Sequence, residues 1–234
     1  MLNVLLPEKK SEKPVSRWAG VYQGVKNAII GRRLMPGTKL PEDELAAIYA
    51  VSRTVVRAAL QALAHDRLVR LEPNRGAFVA HPSIKEARDV FEARALIESE
   101  VAAIAALKAT PENISLLRRH LEREREALHA GRDSEAILLS ARFHVGVAEI
   151  ADQSALTNIV RDLVSHSSLI ITLYWSRRDT TCQTHAHHDL VDAIEARRPG
   201  EAASLMKSHL ADLLSGLDLT RGDAKPDRLA DILR

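Results

Sequence analysis

One short stretch of this chain is patterned for β structure, and nearly everything around it is patterned for helix. Leu68-Val69-Arg70-Leu71 and Ala77-Phe78-Val79-Ala80 are apolar, partly β-branched runs flanking Glu72-Pro73-Asn74-Arg75-Gly76, which reads as a two-stranded hairpin. Before it, Trp18, Val21, Val25, Ala28 and Ile29 share one side of a helix that follows Ser16. That helix should stop near Leu34, because Met35-Pro36-Gly37 disfavours helical dihedrals before the proline and supplies a turn after it. A second, short helix opens on Pro41, suited to a first helical position, with Glu42, Asp43 and Glu44 at the positive end of its dipole and Leu45 to Tyr49 as its body. Ser52 can cap a third, Arg53 to Asp66, with Val56, Leu60 and Leu63 facing inward. Two short helices about a tight turn, followed by a hairpin, make a winged helix-turn-helix, whose second helix enters the major groove of DNA.

From Ile84 the periodicity is helical almost without strand signals. Breaks at Thr110-Pro111, Gly131-Arg132-Asp133, Asp152-Gln153-Ser154, Arg178-Asp179-Thr180 and Pro199-Gly200 divide it into helices over 84–109, 112–130, 134–151, 155–176, 182–198 and 200–216. Short connections predict antiparallel neighbours. A chain of 234 residues also exceeds the usual size of one domain. The expected fold is therefore mainly α: a flexible N-terminal arm over 1–15, a winged helix-turn-helix over 16–82, an all-helical bundle over 84–216 and a loosely attached C-terminal tail over 217–234.

Composition narrows the class. Hydrophobic residues at 46% and charged residues at 27% argue against disorder and against a disulfide-stapled miniature. Cys182 is the single cysteine and has no intramolecular partner; the apolar patch of Met1 to Lys10 precedes its lysines, the reverse of a signal peptide. Charged residues interrupt every apolar run before the roughly 18 residues a membrane helix needs. The expectation is a cytoplasmic protein with no membrane partner. Its net charge of +2 conceals an asymmetry: residues 1–82 hold 13 Lys and Arg against 7 Asp and Glu, and the remainder 20 against 24. A basic first third suits a polyanion.

The residues for reading DNA are concentrated at the start of the third helix. Ser52, Arg53, Thr54, Val55 and Arg57 lie on its first turns; Arg53 and Arg57 share a face from which either can pair with guanine or grip a phosphate, and Ser52 and Thr54 can donate to phosphate oxygens. Asn74, Arg75 and Gly76 at the hairpin tip suit a minor-groove or backbone contact. An ordinary capped surface helix with solvated arginines is the bland alternative.

The stretch Ile29 to Ala80, with Pro36-Gly37, Leu40, Glu44-Leu45-Ala46, Val51-Ser52-Arg53-Thr54, Val56-Arg57, Ala59-Leu60, Leu63, Asn74-Arg75-Gly76 and Phe78-Val79, resembles the DNA-binding domain of the GntR family of bacterial transcription regulators. The helical remainder resembles the FCD ligand-binding domain of its FadR-like branch. The resemblance implies a homodimeric, effector-controlled regulator that binds double-stranded operator DNA. Three positions depart from the pattern: Ala50 stands at the usual turn glycine, Val55 at the common proline, and Asp43 where some relatives place an arginine.

Three histidines coincide with apolar stripes. His144 shares a face with Ile137, Ser140, Ala141 and Val147; His187 with Leu190, Val191 and Ile194; His209 with Ala202, Leu205, Met206 and Leu213. Imidazoles from three helices can converge on one metal in a bundle core, or form a core hydrogen-bond network. His188 phases with Asp192 and Glu195 and is expected to face water, as are His120 and His129. The FCD resemblance implies a metal set with an acidic residue four before a Phe-His pair; Phe143-His144, His187 with Ala193-Ile194, and His209 match, whereas Ser140 holds the acidic position. The expected cofactor is a divalent metal, zinc foremost, with nickel and manganese as alternatives. Ser140 leaves the inner shell without protein negative charge, and His166, on a stripe with Ile159, Leu163 and Ile170, is a substitute ligand.

An open coordination position favours a small carboxylate effector. Arg94, Tyr174 and Trp175 are candidates to line its cavity, although Arg94 pairing with Glu98 on an exposed face is the simpler account of that residue. The leading expectation is thus a DNA-binding regulator, a repressor, controlled by a carboxylate through a metal. A metal-free or effector-independent regulator of the same fold is the alternative. A metallohydrolase is distant, because no His-Glu-x-x-His helix occurs and no carboxylate is placed as general base on the His144 face.

Overall fold

Helical and β patterning resolve into two units, residues 8–83 with 220–234 and residues 1–7 with 84–219, in a computed structural model that describes residues 3–5, 17–30, 33–174, 181–218, 229 and 233.

The smaller unit contains α1 (Arg17–Ile30), α2 (Glu42–Ile48), α3 (Arg53–His65), β1 (Val69–Glu72) and β2 (Gly76–Val79). Val21, Val25, Ala28 and Ile29 of α1 are buried, as are Val56, Ala59, Leu60 and Leu63 of α3, and the two helices pack together through these stripes. Each large aliphatic side chain withdrawn from water contributes about 1.5–3 kcal/mol. Trp18 departs from the expected stripe: it is 42% exposed and meets the Tyr22 ring edge-on. A Cβ at Gly24 on α1 would stand 2.9 Å from Cζ of Tyr49, the residue that caps α2, so any larger residue there must displace the tyrosine ring. Pro41 precedes α2 as its N-cap, one position earlier than expected.

β1 and β2 pair antiparallel with Val69 opposite Val79 and Glu72 opposite Gly76. The turn is closed by Asn74 at φ 61° and Gly76 at φ 100°, left-handed conformations that asparagine and glycine tolerate. The segment before α2 adds a further rung: Leu40 N–H donates to Ala77 O at 2.8 Å and Val79 N–H to Thr38 O at 2.8 Å. The wing is thereby tied to the start of the helix pair.

The larger unit holds α4 (Ile84–Lys108), α5 (Pro111–His129), α6 (Asp133–Ile150), α7 (Ser154–Tyr174), α8 (Thr181–Glu195) and α9 (Pro199–Ser215). Thr110 and Asn113 form a reciprocal capping box at the start of α5, with Pro111 in its first turn. α8 ends earlier than expected because Arg197 takes φ 54° and Arg198 already caps α9. α4 runs along α9 and also meets α6, α7 and α8, so it is the central packing element. No described helix is long and apolar enough to cross a membrane.

Both chain ends depart from the expected arm and tail where they are described. Asn3–Leu5 form a 3-10 turn, and Leu5 is buried against the bundle beside Gly146, whose missing side chain makes the room. Arg123 donates to Leu5 O at 3.4 Å. At the other end Leu217 packs on the bundle core, Asp218 N–H donates to Tyr174 O at 2.7 Å, and Leu229 is buried. Apolar residues at these positions gain more from burial than a solvated tail would retain.

Candidate DNA-reading surface and histidine centre

The turn between α2 and α3 is tight because Ala50 adopts φ 51°, the conformation for which glycine is the ordinary choice. Ser52 then caps α3, its Oγ accepting from Val55 N–H at 3.4 Å. Ser52, Arg53, Thr54 and Arg57 are exposed on the first turns of α3, and Val55 is half-buried. Asn74, Arg75 and Gly76 are exposed at the wing tip, where the Arg75 guanidinium lies 5.5 Å from the Phe78 ring and pairs with Glu72.

The two arginines of α3 are held by acidic side chains of α2. Arg57 donates through Nε to Glu42 Oε1 at 3.0 Å and through a terminal nitrogen to Oε2 at 2.8 Å. Arg53 Nε lies 3.1 Å from Asp43 Oδ1, and its terminal nitrogen 3.6 Å from Glu42 Oε2. Hydrogen bonding from Arg57 holds the Glu42 carboxyl below its ordinary range. Sequence reasoning assigned Glu42 and Asp43 to the helix dipole and missed this second role, which depends on how α2 crosses α3.

In the bundle, His144 of α6, His187 of α8 and His209 of α9 converge, all buried, with one ring nitrogen from each within 4.8 Å of the others. His187 Nε2 lies 3.1 Å from His209 Nε2. The other nitrogen of His187, Nδ1, lies 3.1 Å from Glu124 Oε2 of α5, and Phe143 stacks on the same ring at 4.2 Å. His144 Nδ1 faces Glu98 Oε2 of α4 at 2.7 Å. Glu98 is in turn gripped by Arg94, whose Nε donates to Oε1 at 2.5 Å and whose terminal nitrogen donates to Ser167 Oγ at 2.8 Å.

Burial sets the charge states. It pushes the His144 imidazole down to about 4 against the opposing pull of Glu98, and it holds His209 well below the ordinary histidine value, with neighbouring His187 adding to the effect. Glu98 moves the other way: burial would raise it, but Arg94 and His144 outweigh that and hold it near 2. Near neutral pH the centre therefore contains neutral His144 and His209 beside an ionised Glu98.

The donor set fits a divalent metal. Neutral imidazoles are ligands for zinc, nickel and manganese, and nitrogens about 3.3 Å apart are what ~2.0–2.1 Å bonds to a tetrahedral zinc require. His144 Nε2 is buried and has no hydrogen-bond partner among the described residues, and Nδ1 approaches Glu98 at 2.7 Å outside hydrogen-bond geometry; a bound cation would satisfy Nε2.

Other expected residues fall elsewhere. His166 Nε2 faces Glu86 at 3.2 Å and does not join the three histidines, because its place on α7 turns it toward the start of α4. Ser140 is half-buried one turn before His144 on α6 and has no carboxylate to offer. Tyr174 is buried in the bundle core, and Trp175 lies outside the described residues. Arg94 does pair with Glu98, but at 2% and 1% exposure and not on an exposed face. His120 is likewise buried, with Nε2 2.8 Å from Leu139 O; its stripe with Leu117, Leu121 and Glu124 turns toward α6 and α8, which a charge-rich helical pattern obscures. His129 is exposed and His188 half-buried. The carboxylates of Glu98 and Glu124 were not read as part of the centre; their only sequence signal is a helical phase shared with buried apolar neighbours.

Comparison with known proteins agrees with both halves. The profile of the FCD domain matches residues 89–212, and that of the bacterial regulatory proteins of the gntR family matches residues 18–79. The chain is similar to the Uxu operon regulator of Haemophilus influenzae, 29% identical over 197 residues covering 76% of this chain and 73% of that one. It is also similar to the HTH-type transcriptional repressor GlaR of Escherichia coli, 28% identical over 199 residues covering 81% and 90%. Among solved structures, E. coli McbR/YncC shares the fold with a TM-score of 0.69 and 21% identity, covering 86% of this chain and 99% of that one.

Proposed function

Because the chain belongs to the GntR family of transcriptional regulators and carries its FCD domain, it is a DNA-binding regulator and not an enzyme, and we propose that it is a repressor released by a small carboxylate through a divalent metal. In this reading Ser52, Arg53, Thr54, Val55 and Arg57 meet operator DNA in the major groove, and Asn74, Arg75 and Gly76 meet the adjacent minor groove or backbone. Arg53 and Arg57 exchange Glu42 and Asp43 for phosphates or guanine edges on binding. Two chains acting as a homodimer would match a two-fold operator.

The observation that carries the effector half is the convergence of buried His144, His187 and His209, with His144 Nε2 lacking a hydrogen-bond partner among the described residues. His144, His187 and His209 would hold zinc, or nickel or manganese, and the bound ion would supply Lewis acidity to which a carboxylate oxygen binds directly. Arg94 is a neighbouring cation for a second anionic group, provided Glu98 yields part of its grip. Three neutral ligands leave a centre that attracts an anion, which favours hydroxycarboxylates and dicarboxylates over neutral sugars.

A metal-free core network is favoured by one observation, the 3.1 Å separation of His187 and His209 Nε2, which accommodates a shared proton. It leaves His144 Nε2 unsatisfied. The discriminating experiment is an operator-release titration with lactate, malate and citrate on metal-loaded and chelator-treated protein. Release by one of these acids only after metal loading supports the proposal. Operator binding indifferent to both metal and acids would contradict it.

A further inference from the structure

Two carboxylates meet this centre from outside, and neither is placed as a metal ligand. Glu124 of α5 faces Nδ1 of His187, and Glu98 of α4 faces Nδ1 of His144, so in both rings Nε2 is the nitrogen that does not face a carboxylate. Glu124 and Glu98 are 2% and 1% exposed, which makes them costly unless they are paired. Arg94 pairs with Glu98. The two carboxylates and the one guanidinium leave a net single negative charge beside three imidazoles, in a core where Coulomb attraction is little screened.

We propose that Glu124 and Glu98 are the outer carboxylates of the three-histidine centre, fixing His187 and His144 with Nε2 toward the metal and supplying from outside the negative charge that Ser140 withholds from the inner shell. This rests on the metal reading above and extends it. A carboxylate hydrogen-bonded to Nδ1 selects the tautomer whose Nε2 lone pair is available, orients the ring and raises its basicity. His187 is constrained from two sides, by Glu124 at its edge and Phe143 on its face. His144 is tied through Glu98 to Arg94, so the arginine that neighbours the effector position is coupled to a metal ligand by one side chain. Glu98 is largely neutralised by that arginine, which makes Glu124 the principal counter-charge. Both residues are positioning residues and touch no metal themselves.

The test uses the full chain and metal ions alone. Zn2+ affinity is measured by competition with a chromophoric chelator, and Co2+ reports the inner ligands through its d–d absorption. Glu124→Gln keeps an acceptor for Nδ1–H but removes the charge; it should weaken Zn2+ binding about 10–100-fold while leaving the Co2+ bands in place. Adding Ser140→Asp to Glu124→Gln should recover at least tenfold, because charge then enters from α6. Unchanged Zn2+ affinity in Glu124→Gln overturns the proposal, as does a shift of the Co2+ bands, which would make Glu124 a direct ligand. Nitrogen-15 NMR of the zinc-loaded wild type does not depend on how the variant folds: His144 and His187 must both be Nδ1–H tautomers, and an Nε2–H tautomer in either contradicts the assignment. A wild-type chain that takes up neither Zn2+ nor Co2+ fails one step earlier, at the metal centre itself.

Discussion

Nε2 of His187 and Nε2 of His209 stand 3.1 Å apart, in a core where both rings are buried and Nδ1 of His187 is committed to Glu124. Two imidazole lone pairs cannot face each other at that distance without something between them: a proton on one ring, or a cation bound by both.

The burial that prepares the ligands also makes the metal-free bundle acid-sensitive. His144 and His209 titrate lower in the folded chain than in the unfolded one, and His120 is also lowered, chiefly by burial. The unfolded chain therefore binds more protons as pH falls below about 6.5, and stability declines. For His144 alone the loss reaches about 2 kcal/mol by pH 5. Urea unfolding of chelator-treated protein at pH 7 and pH 5 measures it; stability that rises on acidification would show these rings to be charged in the fold.

Arg94 and Glu98 form a buried pair, so Arg94→Ala strands a carboxylate. The expected cost is about 3–5 kcal/mol, read by thermal or urea unfolding. Arg94→Ala/Glu98→Leu should recover a large part of it, because the carboxylate that the lost guanidinium would have paired is then gone as well. A double variant no more stable than the single one would mean that packing of the arginine stem, and not its charge, matters.

On the proposed DNA-reading surface, Glu42 is ion-paired with Arg57 and Arg53, and in the proposed reading DNA competes with it for both. Glu42→Gln should tighten binding to operator and random DNA alike by a few-fold at low salt, measured by fluorescence anisotropy across a salt series. Weaker binding with relaxed specificity would instead make Glu42 the group that aims Arg57 at its base.

Ala50 carries left-handed strain at the turn, where a non-glycine residue costs about 1–2 kcal/mol. Ala50→Gly should therefore stabilise the winged unit by about 1 kcal/mol, less the extra entropy of glycine in the unfolded chain. A drop in its melting temperature would contradict the strain.

Element identity was legible because local rules sufficed for it: the hairpin between Leu68 and Ala80, the serine cap of α3 and the proline-marked starts of α5 and α9 each depend on neighbours within a few residues. The convergence of His144, His187 and His209 was readable as three apolar phases, though not as a meeting point. What escaped was cross-helix and ionic. Arg94 and Glu98 read as a surface i,i+4 pair because a charged pattern looks the same whether it faces water or a matched partner in the core. Glu124 and His120 were hidden in the charge-rich stretch of α5, and Leu5 lay too near the chain start for periodicity to register. Glu42 and Asp43 served one visible purpose, at the helix dipole, which concealed their grip on α3.

The most direct test of the central claim is the metal-to-protein ratio of untagged protein purified without chelator, determined by elemental mass spectrometry beside His144→Ala/His187→Ala. The account predicts close to one divalent ion per chain in the wild type and none in the double variant. Absence of metal from both, even after incubation with zinc, nickel or manganese, would contradict it and leave the three histidines as a core hydrogen-bond network.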